Sequence, residues 1–211
     1  MRTRIKICGI TRLEDGAAAV AHGVDALGFI FWAKSPRYID PARAQDIVRR
    51  TGPFVSTVGV FVNPLADEVE RAIRDAGISM LQFHGEEAPD FCASFGRPYI
   101  KAFKMGPQAG QGADLIQSTG LYEAASGWMF DAFDSQRVGG TGETFDWNTI
   151  PGSLARPLVL SGGLNVGNIE EAIRRVKPFA VDVSSGVEVD KGIKDAAKIA
   201  AFIQGVRNAD Q

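Results

Sequence analysis

The feature of this chain that most restricts its fold is a series of short apolar runs that recurs along its length. Each run has four to seven residues, and most are bounded by Gly, Pro or Asn, as is typical of strands buried on both faces of a parallel sheet. The eight runs cover residues 5–8, 26–31, 56–62, 80–84, 99–103, 127–131, 157–160 and 180–183. They begin roughly 20 to 30 residues apart, which indicates a repeated strand–helix unit.

Helical patterns fill most of the intervals between these runs. Asp40 followed by Pro41 predicts a capped helix start, because proline suits the first helical position. Thr11 and Glu14 have the spacing of a capping box at the start of the first helix. The sixth interval is rich in glycine, so we expect only a turn or two of helix there, around Trp147.

Eight such units in 211 residues predict an α/β fold, a single-domain (β/α)8 TIM barrel with eight parallel strands that spans residues 1–211. No low-complexity linker divides the chain. A doubly wound open sheet is the alternative. It usually has a break in the strand pattern or a Gly-x-Gly-x-x-Gly motif after an early strand, and the sequence has neither.

Charge and cysteine content limit the classes of function. The net charge of −2 gives no support for a nucleic-acid or membrane-surface partner. The N-terminus has no signal-peptide core, and the longest apolar run, residues 26–33, is far too short to span a membrane, so we expect a cytoplasmic protein. Two cysteines are too few for a disulfide framework, and no His, Cys or Asp cluster has metal-ligand spacing.

Two reactive side chains fall at the carboxyl ends of predicted strands, where barrels of this kind carry their chemistry. Cys8 ends the first strand and Asp131 the sixth, so they should face each other across the barrel mouth. A thiol can act as a base near neutrality if its surroundings favour the thiolate, and an acid opposite it suits an isomerisation that moves a proton. Less specific alternatives are a buried structural cysteine and a solvated aspartate in a flexible loop.

Glycine-rich loops follow three of the last strands, and backbone amides in such loops can approach an anion closely. The loops after strands seven and eight form a recurring phosphate site in these barrels. Ordinary tight turns are the alternative. The candidate residues are Gly140, Gly142, Gly162, Gly163, Ser184, Ser185 and Gly186.

Charged residues at other strand ends are candidates for substrate contacts. Lys34 and Arg37 follow the second strand, and the planar guanidinium of Arg37 suits a carboxylate ligand. A solvated charged loop is the alternative. His84 ends strand four and is either a satisfied polar residue or a substrate contact, and Asp182 lies near the end of strand eight.

Taken together, these motifs resemble the phosphoribosylanthranilate isomerase family of tryptophan biosynthesis. The match runs in order along the whole chain, and the combination is specific even where single motifs are not. Its parts are KICGIT at 6–11, KSPRY at 34–38, VFVN at 60–63, LQFHG at 81–85, Asp131 with GGTGETFDW at 139–147, LSGGL at 160–164, DVSSGVE at 182–188 and GIKD at 192–195.

The resemblance implies an Amadori rearrangement of N-(5-phosphoribosyl)anthranilate to 1-(2-carboxyphenylamino)-1-deoxyribulose 5-phosphate, without a cofactor. By position, Asp131 matches the general acid that protonates the ribose ring oxygen, and Cys8 matches the general base that removes the C2 proton. Arg37 matches the ligand of the anthranilate carboxylate. Substrate-binding residues are then expected at Arg37, His84, Gly140, Gly142, Gly162, Gly163, Asp182, Ser184, Ser185 and Gly186.

Two departures from the family pattern, Phe83 and Trp32-Ala33, affect the anthranilate side of the expected pocket. Rival hypotheses remain. A phosphosugar epimerase would need a metal site or paired carboxylates, and an indole-forming lyase would need a Lys–Glu set that includes a lysine on strand two. A non-catalytic module that binds phosphate ligands would need neither Cys8 nor Asp131. Both a monomer and a homodimer are compatible with the sequence.

Overall fold

The computed structural model describes residues 2–106, 113–132 and 144–211. Eight parallel strands close into a barrel in which each strand pairs with its neighbours in chain order, and β8 pairs with β1. The strands are β1 Arg4–Cys8, β2 Ala26–Ile30, β3 Ser56–Phe61, β4 Met80–Phe83, β5 Tyr99–Met105, β6 Gly127–Ala132, β7 Leu158–Leu160 and β8 Ala180–Val183. The predicted (β/α)8 architecture is confirmed, and the open-sheet alternative is excluded.

Helices follow the strands around the outside of the barrel. They are α1 Leu13–Ala21, α2 Pro41–Thr51, α3 Ala66–Arg71, α4 Pro89–Ala93, α5 Ala113–Gly120, α6 Ile169–Val176 and α7 Ala196–Ala209. A π-helical turn, Ala72–Ala76, extends α3, and a 3-10 turn, Trp147–Thr149, lies in the sixth interval, where a short helix was predicted. Within the described ranges, none of the helices is long and apolar enough to cross a bilayer.

Two further short strands follow β8, and the sequence pattern did not predict them. β9, Glu188–Asp190, and β10, Ile193–Lys194, form an antiparallel pair before α7. The pair lies beside the first helix, because the Thr11 hydroxyl donates to the Gly192 carbonyl at 2.5 Å. This small hairpin therefore connects the end of the eighth unit to the start of the first.

The helix starts agree only partly with the sequence prediction. Asp40 caps α2 and accepts a hydrogen bond from Ala42 N at 2.9 Å, as expected. The capping box predicted at Thr11 is wrong. The residue that precedes α1 is Arg12, which makes no side-chain cap, and the Thr11 hydroxyl is bonded to Gly192 instead.

Alternation along the strands separates two environments. In β1, Ile5 and Ile7 belong to the main core between strands and helices, whereas Lys6 and Cys8 face the barrel interior. Deep in the barrel, a small apolar cluster consists of Ile100, Ala102, Met129, Val159 and Ala180. The next inward positions on β6 and β8, two residues further along each strand, are the acidic residues that line the pocket described below. The barrel is thus closed by apolar side chains beneath a polar upper layer.

Candidate active site

A pocket lies at the carboxyl ends of the barrel strands, where such barrels carry their active sites. It brings together most of the residues predicted from the sequence: Cys8, Arg37, His84, Asp131, Gly162, Gly163, Asp182, Ser184 and Ser185. Gly140 and Gly142 lie outside the described residues. Gly186 does not line the pocket, and neither does the exposed Lys34.

Cys8 occupies a crowded position at the end of β1. A methyl group placed on Gly28 of the neighbouring strand would lie 2.9 Å from Cys8 Sγ and 3.0 Å from Lys6 Nζ. The thiol and the ammonium therefore share the space above Gly28. The same ammonium forms a buried ion pair with Asp182 at 2.8 Å. Cys8, Lys6 and Asp182 thus form a compact group, which we call the base side of the pocket after the role predicted for Cys8.

Burial and charge act in opposite directions on the base side. Burial raises the pKa of Cys8, the ammonium of Lys6 opposes that rise, and the charge of Asp182 reinforces it, so the net pKa is raised. Burial also works against the charge of Lys6, but Asp182 and Cys8 outweigh it, and the pKa of Lys6 is raised. The pKa of the Cys8 thiol therefore lies above its ordinary value, whereas the sequence hypothesis required surroundings that favour the thiolate.

Arg37 is held rigidly at the edge of the pocket. Its Nε and Nη2 donate to the two carboxylate oxygens of Glu188 at 2.8 and 2.7 Å, and Lys194 Nζ also contacts Glu188 at 2.7 Å. The hydrogen bond with Glu188 raises the pKa of Arg37 against the effect of burial. Burial would raise the pKa of Glu188, but its two cationic partners lower it overall.

The approach of Arg37 requires a glycine after Cys8. Gly9 has φ of +74°, and a methyl group there would lie 2.7 Å from Arg37 Cδ. The sequence predicted that this guanidinium binds a carboxylate ligand. In the structure, two of its nitrogens are already committed to Glu188, and Nη1 lies outside this ion pair.

Asp131 lies in a different environment, beside His84 and Gln82. We call these three residues the acid side of the pocket after the role predicted for Asp131. His84 Nε2 is 2.9 Å from Asp131 Oδ2, and both side chains are partly exposed in the pocket. The other ring nitrogen, His84 Nδ1, lies 3.0 Å from the side-chain nitrogen of Gln82. Gln82, His84 and Asp131 therefore form a linear hydrogen-bonded chain that ends at the pocket.

The loop after β7 presents two glycines in left-handed conformation, Gly162 at φ +85° and Gly163 at φ +67°. A methyl group on Gly162 would lie 2.2 Å from the backbone nitrogen of Ala132, so only glycine fits between the ends of β6 and β7. The side-chain amides of Asn165 and Asn168 both donate to the Gly163 carbonyl, at 3.1 and 3.0 Å. These two hydrogen bonds therefore fix the conformation of the loop.

Gly186 has a structural place beside this loop. A methyl group there would lie 2.0 Å from the Leu164 carbonyl oxygen, and the residue forms an isolated parallel bridge with Asn165. Gly186 therefore joins the loop after β8 to the loop after β7. Ser184 and Ser185, just before it, line the pocket.

Comparisons with known proteins agree with this geometry. The model of the N-(5'-phosphoribosyl)anthranilate (PRA) isomerase family matches residues 5–205. A curated relative, the N-(5'-phosphoribosyl)anthranilate isomerase of Nitrosomonas eutropha, is 54% identical over 100% of this chain and 99% of its own length. The chain belongs to the PRA isomerase family. It is an enzyme, an isomerase.

Solved structures of the PRA isomerase family have the same fold. The enzyme from Thermotoga maritima is 40% identical, with a TM-score of 0.88 over 98% of this chain and 99% of that one. A second structure, of a PRA isomerase in complex with reduced 1-(o-carboxyphenylamino)-1-deoxyribulose 5-phosphate, is 37% identical, with a TM-score of 0.81 over 98% of this chain and 99% of its own.

Sequence reasoning missed several polar residues in the site of this PRA isomerase. Lys6 and Gln82, like Glu188 and Lys194, lie within the family motifs, but none of them was assigned a role. The signal of the first two was available, because a lysine or glutamine at an inward position of a buried strand needs a polar partner. Glu188 and Lys194 gave no such signal, since the contacts of Glu188 with Arg37 and with Lys194 depend on the unpredicted β9–β10 pair. Among the described residues, no group of three or more His, Cys, Asp or Glu is arranged to hold a metal.

Proposed function

We propose that the chain catalyses the Amadori rearrangement of N-(5-phosphoribosyl)anthranilate to 1-(2-carboxyphenylamino)-1-deoxyribulose 5-phosphate, a step of L-tryptophan biosynthesis. One observation carries the proposal: a single pocket contains the Cys8 thiol, the Asp131 carboxyl group, the Arg37 guanidinium and the loops after β7 and β8. The related enzyme whose structure holds the reduced product supports a phosphorylated substrate of this kind.

In the proposed mechanism, Asp131 is the general acid. It donates a proton to the ribose ring oxygen, the C1–O bond breaks, and the anthranilate nitrogen supplies electrons to form an iminium at C1. Cys8 then removes the proton from C2, which gives an enolamine that tautomerises to the ketone. An acid and a base at the two sides of one pocket suit this sequence of proton transfers.

The neighbouring Lys6 supports the role of Cys8 as the base. Burial raises the pKa of its thiol, and the ammonium of Lys6 opposes that rise. The form of Cys8 that reacts is the thiolate: its S–H bond forms as the C2–H bond breaks, and the ammonium of Lys6, beside the sulfur, stabilises the anion before the transfer. The base is thus an ion pair with Lys6 and not an isolated buried charge, which would be far less favourable.

The two anionic ends of the substrate fit separate parts of the pocket. We assign the anthranilate carboxylate to Arg37, whose orientation is fixed by Glu188. We assign the phosphate to the backbone amides of Gly163 and of Ser184 and Ser185, together with Gly140 and Gly142 of the loop after β6. Two fixed anchors would hold C1 and C2 between Asp131 and Cys8, which converts binding energy into orientation.

The test is a time course of anthranilate-type fluorescence. The substrate is generated in place from anthranilate and phosphoribosyl pyrophosphate by a transferase, and the purified protein is then added in buffer with EDTA. We expect a fast fluorescence loss that depends on the protein and that Asp131→Asn slows by about a thousandfold, within the range for general acid catalysis. No loss with the wild-type protein would contradict the proposed reaction, and full activity of Asp131→Asn would contradict the assigned acid.

A further inference from the structure

The acid side contains a buried amide whose contacts determine where protons can be placed. Gln82 lies on β4, is 1% exposed, and points into the barrel beneath the pocket. Its Nε2 lies 3.0 Å from His84 Nδ1 and 3.3 Å from Met129 Sδ. His84 Nε2 in turn lies 2.9 Å from Asp131 Oδ2.

Met129 determines the orientation of this amide. An amide nitrogen only donates hydrogen bonds, whereas an amide oxygen and a thioether sulfur only accept them. In the observed orientation, Gln82 Nε2 donates to both His84 and Met129. Turned by half a rotation, Oε1 would face the Met129 sulfur, and two acceptors would oppose each other. The observed orientation persists although the buried Oε1 has no hydrogen-bond partner within the described part of the chain.

The amide orientation fixes the tautomer of His84. Because Gln82 donates to Nδ1, that nitrogen carries no proton, and the ring proton lies on Nε2, which donates to Asp131. A second ring proton on Nδ1 would point at the amide hydrogen and would lose this bond. An imidazole otherwise binds a proton more readily than a carboxylate does. In an unconstrained His–Asp pair, an added proton would therefore reside on the histidine.

We propose that Gln82 is a positioning residue that keeps the acidic proton on Asp131 and off His84. The proposal rests on the proposed function, since it explains how Asp131 holds the proton that it donates. Asp131 Oδ2 accepts from His84, and Oδ1 carries the proton. On transfer, the Asp131 O–H bond breaks and the proton moves to the ribose ring oxygen, which keeps the electron pair of the broken C1–O bond. His84 then stabilises the carboxylate without changing its own protonation.

Within the ranges that the structure describes, few charged groups lie near the Gln82–His84–Asp131 hydrogen bonds. Lys104 lies in register with Asp131 on β5, and its ammonium is 3.6 Å from the exposed carboxylate of Glu86. Glu87 and Lys101 form a separate buried pair at 2.9 Å. Across the pocket, Asp182 is paired with Lys6. A substitution at Gln82 leaves all of these groups in place, so its effect on His84 reports the amide itself.

Nitrogen NMR of the imidazole rings tests the tautomer directly. The chain has two histidines, and His22 is exposed, so a His22→Gln variant assigns the spectrum. At pH 7 we expect His84 of the wild-type protein to be neutral, with a bare Nδ1 and a protonated Nε2. In Gln82→Glu, a carboxylate accepts from Nδ1, and both ring nitrogens should be protonated. A proton on Nδ1 in the wild-type protein would overturn the proposal, as would a neutral His84 in a folded Gln82→Glu variant.

Steady-state kinetics test the consequence for the acid. We expect Gln82→Glu to lower kcat by about a hundredfold, because Asp131 stays ionised, with KM changed less than about threefold. Gln82→Met, which removes the donor without adding a charge, should lower kcat by about tenfold. Gln45→Met is the matched control, since Gln45 loses a comparable bond, to the Asp75 carbonyl at 2.6 Å, far from the pocket. Its kcat should be unchanged.

Isomerase activity and the NMR spectrum together distinguish an error in the proposed function from an error in the role of Gln82. A wild-type protein without isomerase activity contradicts the function, whereas the NMR spectrum still reports the His84 tautomer. An active wild-type protein together with a Gln82→Glu variant of normal kcat overturns the role of Gln82 alone. If thermal unfolding shows that Gln82→Glu does not fold, Gln82→Met decides: a kcat within twofold of wild type overturns the proposal.

Discussion

The two sides of the pocket differ in their exposure to solvent and in the charge of the groups beside the proposed catalytic side chains. On the base side, Cys8 is buried beside Lys6 and Asp182, whose charges are almost fully removed from solvent. On the acid side, Asp131 is partly open to the pocket, and its partner His84 is held by the neutral amide of Gln82. Cys8, the proposed base, lies next to a cation, and Asp131, the proposed acid, lies next to a histidine that is held by a neutral amide.

Removing the base should have the largest effect. We expect Cys8→Ala to lower kcat by about a thousandfold or more, because the C2 proton loses its proposed acceptor, while KM changes only a few-fold. The fluorescence time course measures both. Cys92→Ala is the matched control, since Cys92 is buried in α4, outside the pocket, and should leave kcat unchanged. A Cys8→Ala variant with near-normal kcat would remove the base side from the mechanism.

Lys6→Met tests how strongly the stability of the protein depends on the buried ion pair of the base side. It leaves Asp182 buried without its cation, and breaking such a pair costs about 3 to 5 kcal/mol of unfolding free energy. Urea unfolding at pH 7 measures the loss. Arg174→Met serves as the control, because its ion pair with Glu170 is largely exposed and should be worth at most about 1 kcal/mol. Equal losses in the two variants would show that the base side is no more dependent on its charges than the surface is.

Loss of the proposed substrate anchor, Arg37, should have a smaller effect. Arg37→Ala should raise KM by about 10- to 100-fold, the range for a lost hydrogen bond between charged groups. Lys34→Ala, in the same loop but exposed, should leave KM unchanged. The reaction rate as a function of substrate concentration distinguishes them. If KM is unaffected in Arg37→Ala, Arg37 serves only to hold Glu188, and the carboxylate binds elsewhere.

The smallest expected effect concerns the pH at which Cys8 reacts. Because burial raises the pKa of Cys8 above that of a free thiol, alkylation by iodoacetamide should reach its half-maximal rate at a correspondingly higher pH. Lys6→Met should raise that midpoint further, since Lys6 is the main group that opposes the shift. The measurement uses a Cys92→Ala background. Burial raises the pKa of Cys92 to about 12, so the contribution of this thiol would otherwise confuse the alkaline end of the curve.

A downward shift of the midpoint in Lys6→Met would contradict this account of the base side. It would mean that the lysine favours the thiol over the thiolate. Intact mass spectrometry after alkylation confirms that one site, Cys8, has been modified in each variant.

Much of the fold could be predicted because buried parallel strands have a simple sequence pattern. Each of the eight predicted runs overlaps a strand, and Cys8 and Asp131 lie at the ends where they were expected. Helix starts were less reliable. Thr11 has the right residue type and spacing for a cap, but a carbonyl of the β9–β10 pair, 181 residues away in sequence, competes for its hydroxyl. Local patterns do not contain such distant competitors.

The site was predictable as a set of positions but not as a set of contacts. Arg37 was expected to be available for a ligand, yet its partner Glu188 comes from 151 residues further along the chain. Gly186 was grouped with the pocket residues, whereas the structure shows it packed on Leu164. A glycine required by backbone packing and a glycine required by a ligand look alike in a sequence. Only the packing against the neighbouring loop distinguishes them.

The connection between the loops after β7 and β8 affects the thermodynamics of binding. Because Gly186 joins the two loops and two asparagines hold the Gly163 carbonyl, their backbone is ordered before any ligand arrives. A phosphate bound there would freeze few additional torsions, so little conformational entropy is lost on association. The affinity of this proposed site for phosphate should therefore fall less on heating than the affinity of a site whose loop must first become ordered.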